Sequence, residues 1–280
     1  MKTFHILTIL LLLFVSSFSC SQKTNSEPEI VVDNAAWCWF SDPRAIYYNG
    51  EHEKIYYGFM NDNGDVMARS YDLKTQEEDE FTLHSKLQID DHNVPTFLFL
   101  PDGKILTFYN EHSGNIFMRK SKNIESISEW GDEVILLNKD SLSRYCYVNP
   151  VMLSGENDRI YLFGRNINRN PATYSQTKIY CIYSDDYGET WSDEINIFDN
   201  DGRDSPQYVK YSTDNKSRID FLFTDGHPRH GNISVYHMYY EDGKFNQTNG
   251  QVISSFADAP VKIKSVNKVY DAEKEDVRAW

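Results

Sequence analysis

The chain has 280 residues and a formal net charge of −14 at pH 7, from 42 acidic and 28 basic side chains. This length is enough for one large domain, or two small ones, with a hydrophobic core. The acidic balance argues against a nucleic-acid partner, whose phosphates would be repelled. It does not exclude an acidic substrate, because a few local arginines can dominate one cleft.

The first 30 residues predict export. One lysine, an apolar run from Ile6 to Val15 and small residues precede Cys20, and the run is too short to remain as a membrane span. We interpret residues 1–20 as a signal peptide of the bacterial lipoprotein type, with lipid attached to Cys20. The alternative is a plain signal peptide with a cysteine nearby. The polar residues 21–30 predict a flexible tether.

The expected location is therefore the periplasm or the cell surface of a bacterium, and the expected membrane contact is through the lipid anchor alone. In such an exported protein, two of the three remaining cysteines could form a disulfide. None of Cys38, Cys146 and Cys181 has CxxC spacing, and all lie in aromatic or apolar segments. Buried free thiols are the default interpretation for such positions.

Residues 31–280 form a succession of short strands without helical periodicity. Aromatic or β-branched runs alternate with polar turns such as PDGK at 101–104 and EDGK at 241–244, a pattern typical of β-hairpins. The Asp-Gly pairs supply the positive φ that tight hairpin turns require. Hairpins repeated along one long domain predict an all-β sandwich, barrel or propeller.

Residues 184–191, SDDYGETW, decide between these architectures. They fit the Asp-box pattern Ser-x-Asp-x-Gly-x-Thr-Trp at every specified position. In such a turn the Asp186 carboxylate accepts backbone N–H groups and Trp191 packs beneath, so the motif is structural rather than catalytic. It is a hallmark of sialidase-like β-propellers. A blade takes about 40–50 residues, which predicts about five to six blades for residues 31–280.

The segment AAWCWFSDPR opens the domain. Trp37 and Trp39 alternate along it and so share one side of an extended segment, where we expect them to pack within a blade. Arg44 follows in an apolar context, which favours an anionic partner for its guanidinium.

Two histidines flank one predicted hairpin, DDHNVPTFLFLPDGKILTFYNEH. His92 precedes its first strand and His112 ends its second. A hairpin pairs the start of one strand with the end of the next, so both histidines are expected at the same end of one blade. The alternative is that Asp90, Asp91 and Asn93 cap the strand while His92 bonds to the backbone, because isolated histidines usually have such roles.

Several segments together resemble a known group. AWCWFSDPRAIYYNG, the histidine hairpin, YVNPVML with RIYLFGRN, and FTDGHPR with SVYHMYYEDGKF resemble the BNR-repeat family that includes the propeller polysaccharide lyases. Those are ulvan lyases and related rhamnose–glucuronate lyases, with a rhamnosidase group as a near relative. The resemblance runs from about Trp37 to Trp280 and implies a β-propeller. Family members are seven-bladed and longer, so it also implies a truncated product or a shorter propeller.

The resemblance implies cleavage of a uronate-containing, ulvan-like polysaccharide by β-elimination, with four catalytic side chains. His92 and His112 resemble the histidine pair of the lyases, Tyr147 resembles the tyrosine that acts as acid and in part as base, and Arg165 resembles the residue that neutralises the uronate carboxylate. Tyr145 competes with Tyr147 for that role, because the two are expected on one face of a strand.

The predicted substrate-binding residues are Arg44, Asn93, Tyr208, His227 and Arg229. Tyr208, together with Lys210, is carried over from the resemblance alone. His227 and Arg229 lie in one basic loop that could grip an acidic sugar, although Asp225 and Gly226 could equally make it an ordinary turn.

The expected partner is an acidic polysaccharide or oligosaccharide. Elimination of this kind requires no cofactor, and a structural metal ion stays open. The sequence has no Gly-rich phosphate loop, HExxH motif or G-x-S-x-G elbow. Two alternatives remain at this point: an α-L-rhamnosidase-type hydrolase on the same propeller, and a non-catalytic glycan-binding lipoprotein.

Overall fold

Four antiparallel sheets follow one another along the chain. The computed structural model describes residues 30–167, 177–199, 201–202, 207–227, 229 and 231–277, and residues 34–280 cluster as one compact unit. The predicted signal peptide, Cys20 and nearly all of the predicted tether lie outside the described residues. No helix in the described part of the chain combines the length and apolar character needed to cross a bilayer.

The first two sheets are four-stranded meanders, in which each strand pairs with the next. The first sheet contains β1 (Ala45–Asn49), β2 (Glu53–Met60), β3 (Val66–Asp72) and β4 (Glu78–His84). The second contains β5 (Thr96–Phe99), β6 (Ile105–Asn110), β7 (Ile116–Lys120) and β8 (Val134–Leu137). A 3-10 helix, Asp91–Asn93, leads into β5.

The third sheet repeats this meander with β9 (Tyr145–Leu153), β10 (Arg159–Asn166), β11 (Lys178–Ser184) and β12 (Ile195–Asn196). The fourth is larger and contains β14 (Val209–Thr213), β15 (Arg218–Thr224), β16 (Val235–Glu241), β17 (Lys244–Gln247), β18 (Val252–Ser255) and β20 (Asn267–Tyr270). Between them, β13 (Phe198–Asp199) pairs in parallel with β19 (Val261–Lys262).

Helical segments are short throughout the described residues. They are the 3-10 helices Asp91–Asn93, Ser154–Glu156, Phe256–Asp258 and Ile263–Ser265, and the α-helix Ala272–Glu275. The predicted all-β class is therefore confirmed. The predicted turns also form, since Gly103 in PDGK has φ 82° and Gly243 in EDGK has φ 72°, a conformation that costs glycine little.

Successive sheets pack face to face, which is the architecture of a β-propeller. One buried cluster joins the first and second sheets through residues such as Tyr56 and Phe97. A second joins the next pair through Phe108 and Leu162, and a third joins the last pair through Phe163. The β-propeller prediction is thus confirmed.

The described residues make four blade-like sheets, where repeat length predicted five to six. The first strands of these sheets begin at Ala45, Thr96, Tyr145 and Val209. Successive starts are thus separated by close to the upper end of the assumed repeat or by more, and the last sheet has six strands rather than four. The division by repeat length predicted one or two further blades. The described residues instead place this length of chain between successive sheets and in the larger fourth sheet.

A cavity of about 550 Å³ follows the first strands of all four sheets. Side chains of β1, β5, β9 and β14 line it, which identifies these as the innermost strands of the propeller. The candidate site lies where the chain enters three of these strands, β5, β9 and β14.

The Asp-box has the geometry that its sequence predicts. The Asp186 carboxylate accepts hydrogen bonds from the backbone N–H of Thr190 at 2.8 Å and from the Ser184 hydroxyl at 2.8 Å. Trp191 donates its indole N–H to the Gly188 carbonyl at 3.2 Å and meets Phe108 edge to face. The motif thus closes a turn and contacts a core residue of the neighbouring sheet.

Candidate active site

The two predicted histidines converge. His92 lies in the short helix before β5, and His112 lies two residues after the end of β6. The β5–β6 pairing, from Thr96 opposite Phe108 to Phe99 opposite Ile105, brings these two ends together. The imidazole rings stack with centroids 3.8 Å apart and planes 10° from parallel.

Asp90 holds both histidines. Its Oδ1 accepts from Nδ1 of His92 at 2.7 Å and from the His92 backbone N–H at 2.9 Å, while Oδ2 accepts from Nδ1 of His112 at 2.9 Å. Burial raises the pKa of Asp90, but the His92 backbone N–H and the two histidines outweigh it, so the pKa lies below its ordinary value. Asp90 therefore stays ionised and fixes the orientation of both rings.

This arrangement assigns the protons on His92. Because Nδ1 donates to a carboxylate, Nε2 of the neutral ring is the acceptor. Nε2 lies 2.9 Å from the Tyr147 hydroxyl, which therefore donates to it. The result is a relay from Tyr147 through His92 to Asp90. Nε2 of His112 makes no hydrogen bond within the described residues, and its side chain is 38% exposed.

Asp90, His92 and His112 also form the one group of potential metal ligands in the described part of the chain. Their geometry suits hydrogen bonding better than coordination. The lone pairs of imidazole nitrogens lie in the ring planes, and two rings stacked 10° from parallel direct them side by side rather than to one point. Both Nδ1 atoms, moreover, already lie at hydrogen-bond distance from Asp90.

A β-bulge directs Tyr147 toward His92. Pairing along β9 and β10 is regular as far as Asn149 opposite Phe163 and resumes with Cys146 opposite Arg165, so two residues of β9 face one of β10. Tyr147 takes φ 63° at this point. That left-handed conformation is uncommon outside glycine and is often found at functional sites.

The bulge also separates Tyr147 from Tyr145. The sequence predicted that both tyrosines share one face, and this is wrong because the extra residue breaks the alternation of β9. Tyr145 packs between the second and third sheets and donates to Glu194 at 3.0 Å. Tyr147 packs instead with Cys38 and Cys146 beside the histidines.

Arg165 lies beneath the tyrosines and is only 5% exposed. Its guanidinium carbon is 4.7 Å from the Tyr147 ring centroid and 4.1 Å from that of Tyr208. One terminal nitrogen donates to the Gln207 carbonyl at 2.6 Å, whereas Nε has no partner. Within the described residues no carboxylate forms an ion pair with Arg165, so its buried charge is uncompensated.

Burial disfavours ionisation of both Tyr147 and Arg165, with different outcomes. Desolvation raises the pKa of Tyr147, and the nearby Arg165 only partly opposes it, so the phenol keeps its proton at neutral pH. Desolvation lowers the pKa of Arg165, but Cys146, Tyr208 and Tyr147 outweigh it and the pKa lies above its ordinary value. Arg165 is thus a fixed cation beside a protonated phenol.

The structure places Tyr208 and His227 at the candidate site and Arg229 in the loop beside it. Tyr208 contacts Arg165 and lies 5.1 Å from the His227 ring in an edge-to-face pair, so β14 and the loop after β15 reach the same site. Arg229 follows in that loop, is exposed, and donates its backbone N–H to Nδ1 of His227 at 3.0 Å.

Asn93 is fully buried, so its predicted contact with substrate is not favoured by the structure. Its amide nitrogen donates to the backbone carbonyl of Gln88 at 3.2 Å. The Gln88 side chain in turn accepts the His112 backbone N–H at 2.8 Å. The physical reason is the 3-10 helix, which turns Asn93 inward as it turns His92 outward. Asn93 therefore supports the loop that carries the histidines.

The segment Trp37–Phe40 forms another wall of the site. Cys38 is buried against Cys146 and Tyr147, and Phe40 meets Tyr147 edge to face at 5.6 Å. Trp37 and Trp39 were expected to pack within a blade, and this is wrong, since they are 50% and 58% exposed. They point outward because Cys38 and Phe40 take the inward positions of the same alternating segment.

The three cysteines are buried and unpaired, in agreement with the default interpretation of the sequence. Burial raises the pKa of Cys38 to about 11 and that of Cys146 to about 12. Both thiols therefore stay protonated at neutral pH and are weak nucleophiles.

Sequence reasoning missed the bridging carboxylate of Asp90 as a member of the site. The Asp-x-His spacing of Asp90 and His92 was the available signal, because a carboxylate two residues before a histidine can accept from its Nδ1. Lys210 was carried over from the resemblance, but its bond to Asp42 beside the aromatic wall was not predicted, because the two residues are far apart in sequence.

Known structures resemble this fold. An ulvan lyase, described as a new family of polysaccharide lyase, superposes with a TM-score of 0.63 at 18% identity, over 84% of this chain and 58% of that chain. The same values hold for the ulvan lyase bound to -[GlcA(1-4)Rha3S]-. The present chain therefore spans less than two thirds of the length of these relatives. An endo-arabinase from Bacteroides thetaiotaomicron VPI-5482 matches with a TM-score of 0.45 and 11% identity, over 80% of this chain and 83% of that one.

No curated protein matches the chain. The family model described as "BNR repeat-containing family member" matches residues 54–278, which include both histidines, Tyr147, Arg165 and the Asp-box. By this match, over most of its length, the chain belongs to the BNR repeat-containing family.

Proposed function

We propose that the protein is a polysaccharide lyase that cleaves a uronate-containing, ulvan-like chain of rhamnose and glucuronate by β-elimination. The observation that carries this proposal is the position of Tyr147, whose hydroxyl bonds to His92 while its ring packs on the buried Arg165. A proton donor, a held imidazole and an uncompensated cation thus meet in one place. The likeness to ulvan lyase structures supports the same proposal.

The reaction determines what the site must supply. The C5–H proton of the uronate leaves to a base, its electron pair forms the C4–C5 double bond, and the C4–O bond breaks as the leaving oxygen takes a proton. The C5 proton is weakly acidic, because its removal builds up negative charge on a carboxylate that is already anionic. A cation beside that carboxylate, a base and an acid are therefore required.

Each requirement has a candidate among the described side chains. Arg165 supplies the cation, and no carboxylate of the described residues forms an ion pair with it. Tyr147 is protonated at neutral pH and supplies the proton to the leaving oxygen, for which its single O–H turns from Nε2 of His92 to that oxygen. Nε2 of His112 has no hydrogen-bond partner among the described residues and is partly exposed, so it is the candidate base. His92 orients the Tyr147 hydroxyl, and Asp90 orients both imidazoles.

Hydrolysis is less well served by these residues. Most glycoside hydrolases use two carboxyl groups, one as acid and one as base or nucleophile. Asp90 directs both of its oxygens to histidines, and Asp42 is engaged by Arg44 and Lys210. No pair of uncommitted carboxylates faces Tyr147 in the described part of the chain.

The test incubates the purified protein with ulvan and follows the ultraviolet absorbance of the unsaturated uronate. We expect a rising signal from the wild type and from His52→Ala, an exposed histidine of the first sheet, and no signal from His112→Ala. Release of rhamnose without unsaturated product would indicate the hydrolase. Binding without either product, by protein shown to be folded by circular dichroism, would indicate a glycan-binding protein.

A further inference from the structure

Trp37 and Trp39 form an exposed aromatic pair on the outer side of the wall segment. Their ring centroids are 5.6 Å apart in an edge-to-face arrangement. More than half of Trp39 is exposed, although the same segment buries Cys38 completely among core side chains. Exposed clusters of aromatic side chains on a protein surface are typical of binding sites.

A local excess of positive charge lies beside this pair. The guanidinium of Arg44 stacks over the Trp37 ring at 4.4 Å, donates to the Cys38 carbonyl at 3.0 Å and lies 3.3 Å from Asp42. Lys210 bonds to the same Asp42 and to the Trp39 carbonyl. Two cations thus share one carboxylate, and neither has another ion pair within the described residues. In a protein with a net charge of −14, this attracts an acidic ligand.

The surface here is concave. A hollow of about 480 Å³ is lined by Trp37, Arg44 and Tyr57, among others. This volume is in the range of small-ligand sites, which combine aromatic walls with a few charged groups. The hollow is lined by the segment before β1 and by β1 and β2. Lys210 belongs to β14, the strand that Tyr208 precedes at the candidate active site.

We propose that Trp37, Trp39 and Arg44 form a separate subsite that binds an acidic sugar unit of the chain, next to the unit that is cleaved. This inference rests on the proposed function for the identity of the polymer. An indole face stacks on the apolar C–H face of a sugar ring, and Arg44 faces the sugar's carboxylate or sulfate.

The position of the subsite predicts how it contributes. Trp37 and Trp39 alternate with Cys38 and Phe40, and Phe40 contacts Tyr147 and Tyr208. A sugar on the tryptophans therefore lies outside the reacting group but along the same wall. It adds affinity for chains long enough to reach both places, and it touches none of the groups that move protons. The subsite acts on substrate binding and leaves the chemical step unchanged.

The experiment measures binding without turnover. Calorimetric titrations use a uronate–rhamnose oligosaccharide and the full chain carrying His112→Ala, alone and combined with Trp39→Ala or Trp37→Ala. We expect Trp39→Ala to raise Kd about tenfold, the effect of losing one well-placed anchor. Tyr187→Ala, which removes an exposed aromatic residue from the Asp-box turn, is the matched control and should leave Kd unchanged.

A second titration tests the charge. With the acidic oligosaccharide, Arg44→Gln should raise Kd. With a carboxyl-reduced, unsulfated oligosaccharide, Arg44→Gln should leave Kd unchanged, whereas Trp39→Ala should still raise it. Equal Kd values for the parent and both tryptophan variants would overturn the subsite, and so would the absence of any binding by folded parent protein. Trp39 is exposed, so its variant tests the proposal even if Arg44→Gln fails to fold.

The two proposals fail separately. If the wild type forms no unsaturated product but its oligosaccharide binding depends on the tryptophans, the lyase proposal is refuted and the subsite proposal stands. Unsaturated product formed with the same Kd and KM in Trp37→Ala, Trp39→Ala and wild type would refute the subsite and keep the lyase.

Discussion

His92 and His112 stack face to face with 3.8 Å between ring centroids, although one precedes the first strand of a hairpin and the other follows its second strand. Both direct Nδ1 to Asp90. The shared carboxylate makes the pair a rigid unit, since each ring is fixed by one oxygen. It leaves Nε2 of His92 to accept from Tyr147 and Nε2 of His112 without a hydrogen-bond partner in the described part of the chain.

Replacing Tyr147 with Phe removes the proposed acid and keeps the ring that packs on Arg165. We expect kcat to fall by about 10²–10⁴, the usual contribution of a general acid, with little change in KM. The measurement is initial rates of unsaturated uronate formation. Since burial raises the Tyr147 pKa, wild-type activity should show no loss from phenol ionisation below pH 10, the ordinary value. Full activity of the Phe variant would assign the acid to another group.

Arg165→Lys tests whether the cation or its planar shape is needed. The guanidinium covers parts of two tyrosine rings and donates to Gln207, which a lysine ammonium cannot reproduce. We expect kcat/KM to fall by roughly a hundredfold, by analogy with loss of one charge-stabilising donor. Circular dichroism should show a folded protein. If the Lys variant keeps wild-type kinetics, Arg165 does not contact the uronate carboxylate.

Asp90→Asn should loosen the histidine pair. An amide has one acceptor oxygen, so one imidazole Nδ1–H would face an NH₂ group instead of an acceptor. We expect unfolding free energy to fall by about 1–2 kcal/mol and kcat to fall at least tenfold. Urea unfolding and initial rates measure these effects. Asp102→Asn, in the exposed PDGK turn of the same hairpin, is a control that should keep kcat.

The same carboxylate predicts a pH dependence of stability. The Asp90 pKa in the folded protein is lower than its ordinary value of 3.8. Its stabilising contribution is therefore fully present above that value and is lost as pH falls through the lower folded pKa. The stability difference between wild type and Asp90→Asn should shrink only below about pH 4. Urea unfolding from pH 7 to pH 3 tests this, and a difference that vanishes near neutral pH would contradict it.

The Asp-box offers a purely structural comparison. The Asp186 carboxylate accepts hydrogen bonds from the Thr190 hydroxyl, the Thr190 backbone N–H and the Ser184 hydroxyl, and these lower the Asp186 pKa to about 2. We expect Asp186→Ala to lower the thermal midpoint by a few degrees and to leave kcat unchanged. The turn begins at Ser184, opposite Ile160, whereas Arg165 and Tyr147 meet at the other end of β10. Calorimetry and initial rates separate the two quantities. A large loss of kcat at unchanged midpoint would give the Asp-box a role in the reaction.

Sequence patterns alone determined the features that depend on neighbours in the chain. Strand-and-turn alternation predicted the all-β class, and Asp-Gly pairs predicted the tight turns. The Asp-box predicted its own hydrogen bonds. The convergence of His92 and His112 was predictable for the same reason, because a hairpin brings its two ends together whatever surrounds it.

Only the tertiary structure decided which side chains complete the site. The bulge that turns Tyr147 away from Tyr145 depends on pairing between β9 and β10, and strict alternation gives the wrong face there. Trp37 and Trp39 lie outside because Cys38 and Phe40 find buried partners on other sheets. The isolation of Arg165 from every described carboxylate likewise follows from its packing between Tyr147 of the third sheet and Tyr208, which precedes the fourth. Such contacts join residues far apart in sequence, and local patterns carry no record of them.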